Sequence, residues 1–302
     1  MRVHEVTSLE RNVRSSDELE LRAPPYDALY AHWERHQWSA LEIDLTTDAA
    51  SFEKLGESER AGLLWIFANR FHAEFNVARL LAPFLMAAPS WELQCLLATQ
   101  TADEHRHLRL VLRIYEEVFG VRGGIGAAQR VANEGLDAVS KTLLYDKLGE
   151  WVLPLEARRE EDTFAQAILV YHVLGEGVIA RAGQNLAARQ YDELEGFPGL
   201  IEGQRLVSRD ESRHIGIGVS YLRSRMDADP VHTDALVQQV LDDLLPVAAD
   251  MLERANSDLG ELALSGYGVP PEAFYEEVIR LLDLRLRSIG FVEDQVLQPQ
   301  AP

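Results

Sequence analysis

A single cysteine, Cys95, stands in 302 residues. No internal disulfide framework and no cysteine-built zinc site can be assembled from it. Its apolar helical surroundings suit a small buried hydrophobe. Positive charge is scarce as well: 29 Lys and Arg against 49 Asp and Glu leave a formal charge of -20. Such a surface repels nucleic acid and anionic membranes, so neither is expected as a partner. The first residues, MRVHEVTSLERNVRSS, hold no apolar stretch of the kind a secretory signal needs. The run LLAPFLMAAPSWELQCLL is broken by two prolines and Glu92, so no bilayer span is expected. The cytoplasm is the simplest placement. Apolar-polar alternation of useful length is also missing, which argues against β-sheet.

What the chain does have is helical period. The apolar content of 47% is that of a globular protein. Helices are expected over about 26–38, 58–86, 91–119, 127–152, 158–190, 198–226, 231–265 and 271–289. LEIDLTTD is read as an extended link, with Thr46, Thr47 and Asp48 as turn or cap candidates. GVRGGIG, residues 120–126, is a glycine loop. The expected organisation is one all-α domain over 1–302. It comprises an irregular arm (1–25), a helical bundle (26–290) and a short tail (291–302).

Two segments stand out on these helices. Asp103-Glu104-His105-Arg106-His107 recurs a hundred residues on as Asp210-Glu211-Ser212-Arg213-His214. Residues i and i+3 of a helix differ by about 60° around its axis, so Glu and His of each copy point the same way. Glu74 and Glu176 lie on two further helices, both among apolar neighbours. A carboxylate there is costly unless paired or bound to metal. Each alone is well explained by an arginine, Arg70 or Arg181. The ordered set of lone Glu, Glu-x-x-His, lone Glu, Glu-x-x-His is not, and it is the ligand set of carboxylate-bridged dimetal bundles. Glu104 and Glu211 are expected to bridge, with Glu74 and His107 completing one metal and Glu176 and His214 the other. Four carboxylates and two imidazoles suit iron or manganese.

A metal-bound imidazole usually donates its second N–H to a carboxylate. Asp210 is expected in that role; Asp103 is equally a surface aspartate. His72, His105 and His172 are read as structural or exposed, and Arg106 and Arg213 as partners of carboxylates near the site.

These residues resemble the ribonucleotide reductase small-subunit superfamily over about residues 26–290, which implies a ferritin-like bundle. Trp38, Glu42-Ile43-Asp44 and Asp48 before Glu74 carry the likeness further. Trp38, Asp210 and His107 fall where reductase subunits have an electron-transfer chain. The radical tyrosine of those subunits is replaced by Val111, which counts against a working reductase subunit, the alternative reading. The chain is similar in more detail to the small-subunit-like ligand-binding oxidases, in Tyr171-His172, Glu176-Gly177 and Val77. That resemblance implies a manganese–iron or di-iron centre, use of dioxygen, a long-chain fatty acid at the metals and a homodimer. It also implies an ether cross-link between Tyr171 and Val77. Phe75-Asn76 and Ala182 depart from the oxidase pattern. Tyr171 and Glu176, five apart, face one site only if the helix is locally widened into a π-turn.

Overall fold

The computed structural model describes residues 23–136, 141–185, 196–254 and 271–291. Most of the expected arm, the tail beyond 291 and the end of the expected 231–265 helix lie outside the described residues. Within them there are helices and no strand. In chain order they are α1 (Tyr26–Arg35), α2 (Thr46–Phe52), α3 (Glu57–Ala87), α4 (Trp91–Arg113, running on as a π-turn over Ile114–Val118) and α5 (Gly124–Gly135). Then come α6 (Leu148–Val152, entered through a π-helix over Thr142–Lys147 and left through a 3-10 turn over Leu153–Glu156), α7 (Glu161–Ile168, widening to a π-helix over Leu169–Ala180), α8 (Pro198–Ala228), α9 (Pro230–Arg254) and α10 (Pro271–Ser288).

Three local readings are corrected. The first helix stops at Arg35, so Trp38 sits in the irregular link after it. The link around residue 45 is not extended: Asp44 Oδ1 accepts from the Thr46 N–H at 2.9 Å and starts α2. The expected 127–152 helix is divided, with α5 ending at Gly135. By length and composition α7, over Glu161–Asn185, is apolar enough to cross a bilayer, but 67% of its most apolar window is buried in the bundle. That is the pattern of a core helix.

Two apolar clusters fill the molecule. One joins Leu80, Leu81 and Phe84 of α3 to Leu93, Leu96 and Leu97 of α4, the length of α7, and Ile215 to Leu222 of α8. The other joins Leu63, Phe67 and Phe71 of α3 to Leu110 and Val111 of α4, and to Leu200, Leu206 and Val207 of α8. On α3, α4 and α8 the stretch between the two clusters carries Glu74, Glu104 with His107, and Glu211 with His214. A polar layer therefore lies between two apolar ones, and the burial on both sides fixes its position along each helix.

The start of α8 is held from a distance. Asp48, fully buried on α2, accepts the backbone N–H groups of Gly199 and Leu200 at 2.9 and 2.8 Å. These are orphan donors of the first turn. A Cβ on Gly199 would meet the Asp44 carbonyl oxygen at 2.3 Å, so only glycine admits this approach.

Candidate metal centre

All six side chains expected as ligands converge. Ligand atoms of Glu74, Glu104, His107 and Glu211 lie within 4.8 Å of one another, as do those of Glu104, Glu176, Glu211 and His214. Glu104 and Glu211 belong to both groups. Glu104 turns Oε2 to His107 Nδ1 at 3.3 Å and Oε1 to His214 Nδ1 at 3.0 Å. Glu211 turns Oε1 to His107 Nδ1 at 3.3 Å and Oε2 to His214 Nδ1 at 3.5 Å. Glu74 lies 3.5 Å from His107 Nδ1, and Glu176 lies 3.9 Å from His214 Nδ1. The arrangement is pseudo-symmetric: two shared carboxylates, and one carboxylate and one imidazole private to each half.

The outward ring nitrogens are held symmetrically too. His107 Nε2 is 3.3 Å from Asp210 Oδ2, which also accepts the Trp38 indole N–H at 2.7 Å. His214 Nε2 is 3.2 Å from Asp103 Oδ2, while Asp103 Oδ1 accepts the Trp33 indole N–H at 3.0 Å. With Nε2–H donated outward, both Nδ1 lone pairs face the cluster. Asp103 is thus no surface residue. It is fully buried and takes Arg213 at 2.6 Å and Arg106 as well. Arg106 also reaches Asp210 at 2.9 Å. Both arginines pair with carboxylates at the site's edge, as the sequence suggested.

Glu176 is oriented by a pair that sequence reasoning missed. Gln100 donates to Glu176 Oε1 at 2.9 Å, and Gln100 Oε1 accepts from His172 Nε2 at 2.9 Å. Burial, then the charge of His214, holds His172 down to about 3, so it is neutral. Its backbone is pressed close to α8, for a Cβ on Gly218 would meet His172 Cβ at 2.5 Å. The arginine explanation applies in part to Glu74, whose Oε1 lies 3.6 Å from Arg70 Nε. Arg181 reaches α8 instead, donating to Ser212 Oγ at 2.6 Å. Of the other histidines, His72 bonds the Tyr145 hydroxyl at 2.7 Å and His105 the Thr101 carbonyl at 2.7 Å.

The helical widening called for by Tyr171 and Glu176 is present, since both lie in the π-helical part of α7. A π-turn shifts hydrogen bonds by one residue and turns a five-residue spacing toward one face. Tyr171 is buried, and its hydroxyl donates to the Val77 carbonyl oxygen at 3.3 Å. Burial, then the charges of Glu104, Glu176, Glu211 and Glu74, holds this phenol well above its ordinary range, and it stays protonated.

The donor set fits a pair of divalent metals. Glu74 Oε2, both oxygens of Glu104, Glu176 Oε2, His107 Nδ1 and His214 Nδ1 are buried with no hydrogen-bond partner. Orphaned buried atoms of this density call for an explanation, and all six aim at one place. Burial pulls the two imidazoles down, but the carboxylates around them, Asp210 first at His107 and Glu104 first at His214, outweigh it and hold both well above the usual range. Glu176 is pushed well up by burial and by Glu211. Two divalent cations would balance four carboxylates and relieve both effects, in a hard, oxygen-rich setting suited to manganese or iron.

The family model described as ribonucleotide reductase, small chain, matches residues 19–291. The chain belongs to that family. Solved structures with the same fold include a variant of an R2-like ligand-binding oxidase with aerobically reconstituted Mn/Fe cofactor. It is 23% identical, with a TM-score of 0.78 over 89% of this chain and 94% of that one. Another variant of that oxidase, with anaerobically reconstituted Mn/Fe cofactor, is 24% identical with a TM-score of 0.77 over the same shares. At these identities the likeness is one of fold. Within the ribonucleotide reductase small-chain frame, Val111 is buried and lines a small void with Phe67, Arg70, His107, Gln204 and Val207. The void is about 10 Å³, the scale of a single water. One turn further on, Tyr115 is buried with its hydroxyl unpartnered.

Proposed function

We propose that this protein is an oxygen-activating dimetal oxidase. Its two metals, manganese and iron or two irons, are held by Glu74, Glu104, His107, Glu176, Glu211 and His214. The metal pair, when bound, supplies dioxygen binding and two of the four electrons that convert dioxygen to two waters. The observation that carries the oxidase reading is the hydrogen bond, at 3.3 Å, that brings the Tyr171 hydroxyl to the backbone carbonyl of Val77. Val77 follows Glu74 by one turn, and Tyr171 is brought round by the π-helix that carries Glu176. Asp103 and Asp210 keep the imidazole tautomers fixed, and Gln100 holds Glu176 by one oxygen and leaves the other free. Joining Tyr171 to Val77 removes one hydrogen from the phenol and one from a carbon of the valine. It forms one C–O bond and supplies the other two electrons.

The test is peptide mapping. After loading with iron, or iron plus manganese, in air, the peptides around residues 77 and 171 should run as one joined species, lighter than their sum by two hydrogens. Loading without oxygen, or Tyr171→Phe, should leave them separate. Separate, unmodified peptides from fully metallated, oxygen-treated protein would leave Tyr171 as an ordinary core tyrosine and remove the oxidase reading's main support.

We also propose an apolar carboxylic acid of fatty-acid type as the ligand of this centre, its carboxylate at the metals. The small void beside His107 is far below the ~300 Å³ of usual ligand pockets. An acyl chain must therefore part side chains between α3 and α7, where Phe84 packs on Tyr171 and on His172 at 5.3 Å each. Organic extraction of metal-loaded protein from a cellular host should release about one long-chain acid per chain; an extract free of such acids argues for solvent ligands alone.

The second reading, a radical-generating reductase subunit, draws on the hydrogen-bonded connection Trp38–Asp210–His107. Stimulation of ribonucleotide reduction by a separate catalytic subunit would favour it. Val111 weighs against it.

A further inference from the structure

A string of aromatic and polar groups joins the His214 half of the site to the surface, and its two aromatic members take no part in the chemistry above. It starts at Tyr30 on α1, which is 38% exposed. The Tyr30 and Trp33 rings lie 6.0 Å apart between centroids. Trp33 reaches Asp103 through its indole N–H at 3.0 Å, and Asp103 reaches His214 at 3.2 Å. On the other half, the ring neighbours of Trp38 are His107, at 6.2 Å, and the Arg106 guanidinium, at 4.9 Å. The two halves are alike out to the indole, and on the Trp33 side a further aromatic ring leads on to solvent.

We propose that Tyr30 and Trp33 form an electron-delivery path from an outer-sphere one-electron donor to the His214 half of the centre. The proposal rests on the dimetal reading above. Indole and phenol are the side chains most readily oxidised by one electron, and here they are in sequence, close, and tied by hydrogen bonds to a ligand imidazole. Arg213, at 2.6 Å, and Arg106 both pair with Asp103 and hold it in place between Trp33 and His214. Tyr30 is open to water, which can take its phenol proton and return it. One electron leaves the donor, which is oxidised, and one arrives at the centre, which is reduced. No bond in the chain is made or broken overall. The formal charge of -20 favours a cationic donor at the surface.

The experiment uses full-length protein loaded in air, then mixed without oxygen with hexaammineruthenium(II), a cationic outer-sphere reductant. The loss of the oxidised centre's absorbance is followed by stopped flow, and metal content is measured on every sample. Trp33→Phe should slow reduction about ten-fold, a barrier increase of about 1.4 kcal/mol. Tyr30→Phe, at an exposed position that leaves the Trp33–Asp103 bond in place, should slow it as well. Trp91→Phe, at the exposed start of α4, should not. Unchanged rates in Trp33→Phe or Tyr30→Phe at full metal content overturn the proposal, as does equal slowing in Trp91→Phe. A parent protein that binds fewer than two metals would instead defeat the dimetal reading, whatever the rates.

Discussion

Glu104→Ala and Glu211→Ala should each take the purified protein from two bound metals to fewer than one. The reason is geometric. Each of these carboxylates offers one oxygen toward His107 and the other toward His214, at 3.0 to 3.5 Å. Losing either removes a donor from both halves at once, whereas loss of Glu74 or Glu176 touches one half. The remaining groups are also left in worse electrostatic balance, because each imidazole faces both of these carboxylates. Glu→Gln at the same positions keeps the shape but not the charge, and should lose metal as well. Glu202→Ala, on the exposed surface of the same helix, is the control and should bind two metals. Elemental analysis of protein loaded under identical conditions decides it. Full occupancy in either Glu104→Ala or Glu211→Ala would show that the convergence of side chains is an ion-pair cluster and not a metal site.

Asp103→Ala should be among the most destabilising single substitutions in the bundle. This carboxylate is fully buried and accepts from Arg213, Trp33 and Arg106 while facing His214. Arg213 is itself nearly fully buried. Removing one partner of a buried ion pair strands the other charge, at a cost of about 3–5 kcal/mol. Arg213 keeps a bond to Thr99 Oγ1 at 2.9 Å, but a hydroxyl does not neutralise a guanidinium. Asp103→Asn keeps an acceptor and the volume and should lose less. Denaturant unfolding measures the difference, and a loss below about 1 kcal/mol for the alanine variant would place Arg213 in contact with water, against its burial here. Metal binding offers a second readout, since the histidine at the far side of the carboxylate loses its orientation. Affinity at the His214 half should fall by about 10–100-fold.

Much of the site was legible in the chain because helix geometry is local. Glu104 with His107, and Glu211 with His214, share a face by the number of residues between them, whatever else surrounds them. The π-helix in α7 was likewise implied by two residues five apart that had to meet one site. The apolar stretches flanking each polar cluster marked which part of each helix would be buried. The positions of the ligand-bearing helices and the all-helical class followed from period alone.

What the chain could not disclose is whatever depends on one helix facing another. Asp210 was expected beside a histidine, but for Asp103, at the equivalent place in the repeated motif, nothing in its segment distinguishes a surface aspartate from a histidine's partner. The packing of α4 against α8 decides it, and turns both inward. The indole N–H of Trp33 finds Asp103 only because α1 lies beside α4. Gln100 and His172 are ordinary helix residues until α7 brings them opposite each other, and Asp48 caps a helix that begins some 150 residues later. Local spacing sets direction around one axis. The register between axes is set by side chains that interlock across them, as where Gly218 of α8 admits His172 of α7 with no room for a Cβ. The sequence by itself determined which residues of each helix share a face and what chemistry that face can offer; the tertiary structure alone decided which faces meet, because that choice rests on contacts between residues far apart in the chain.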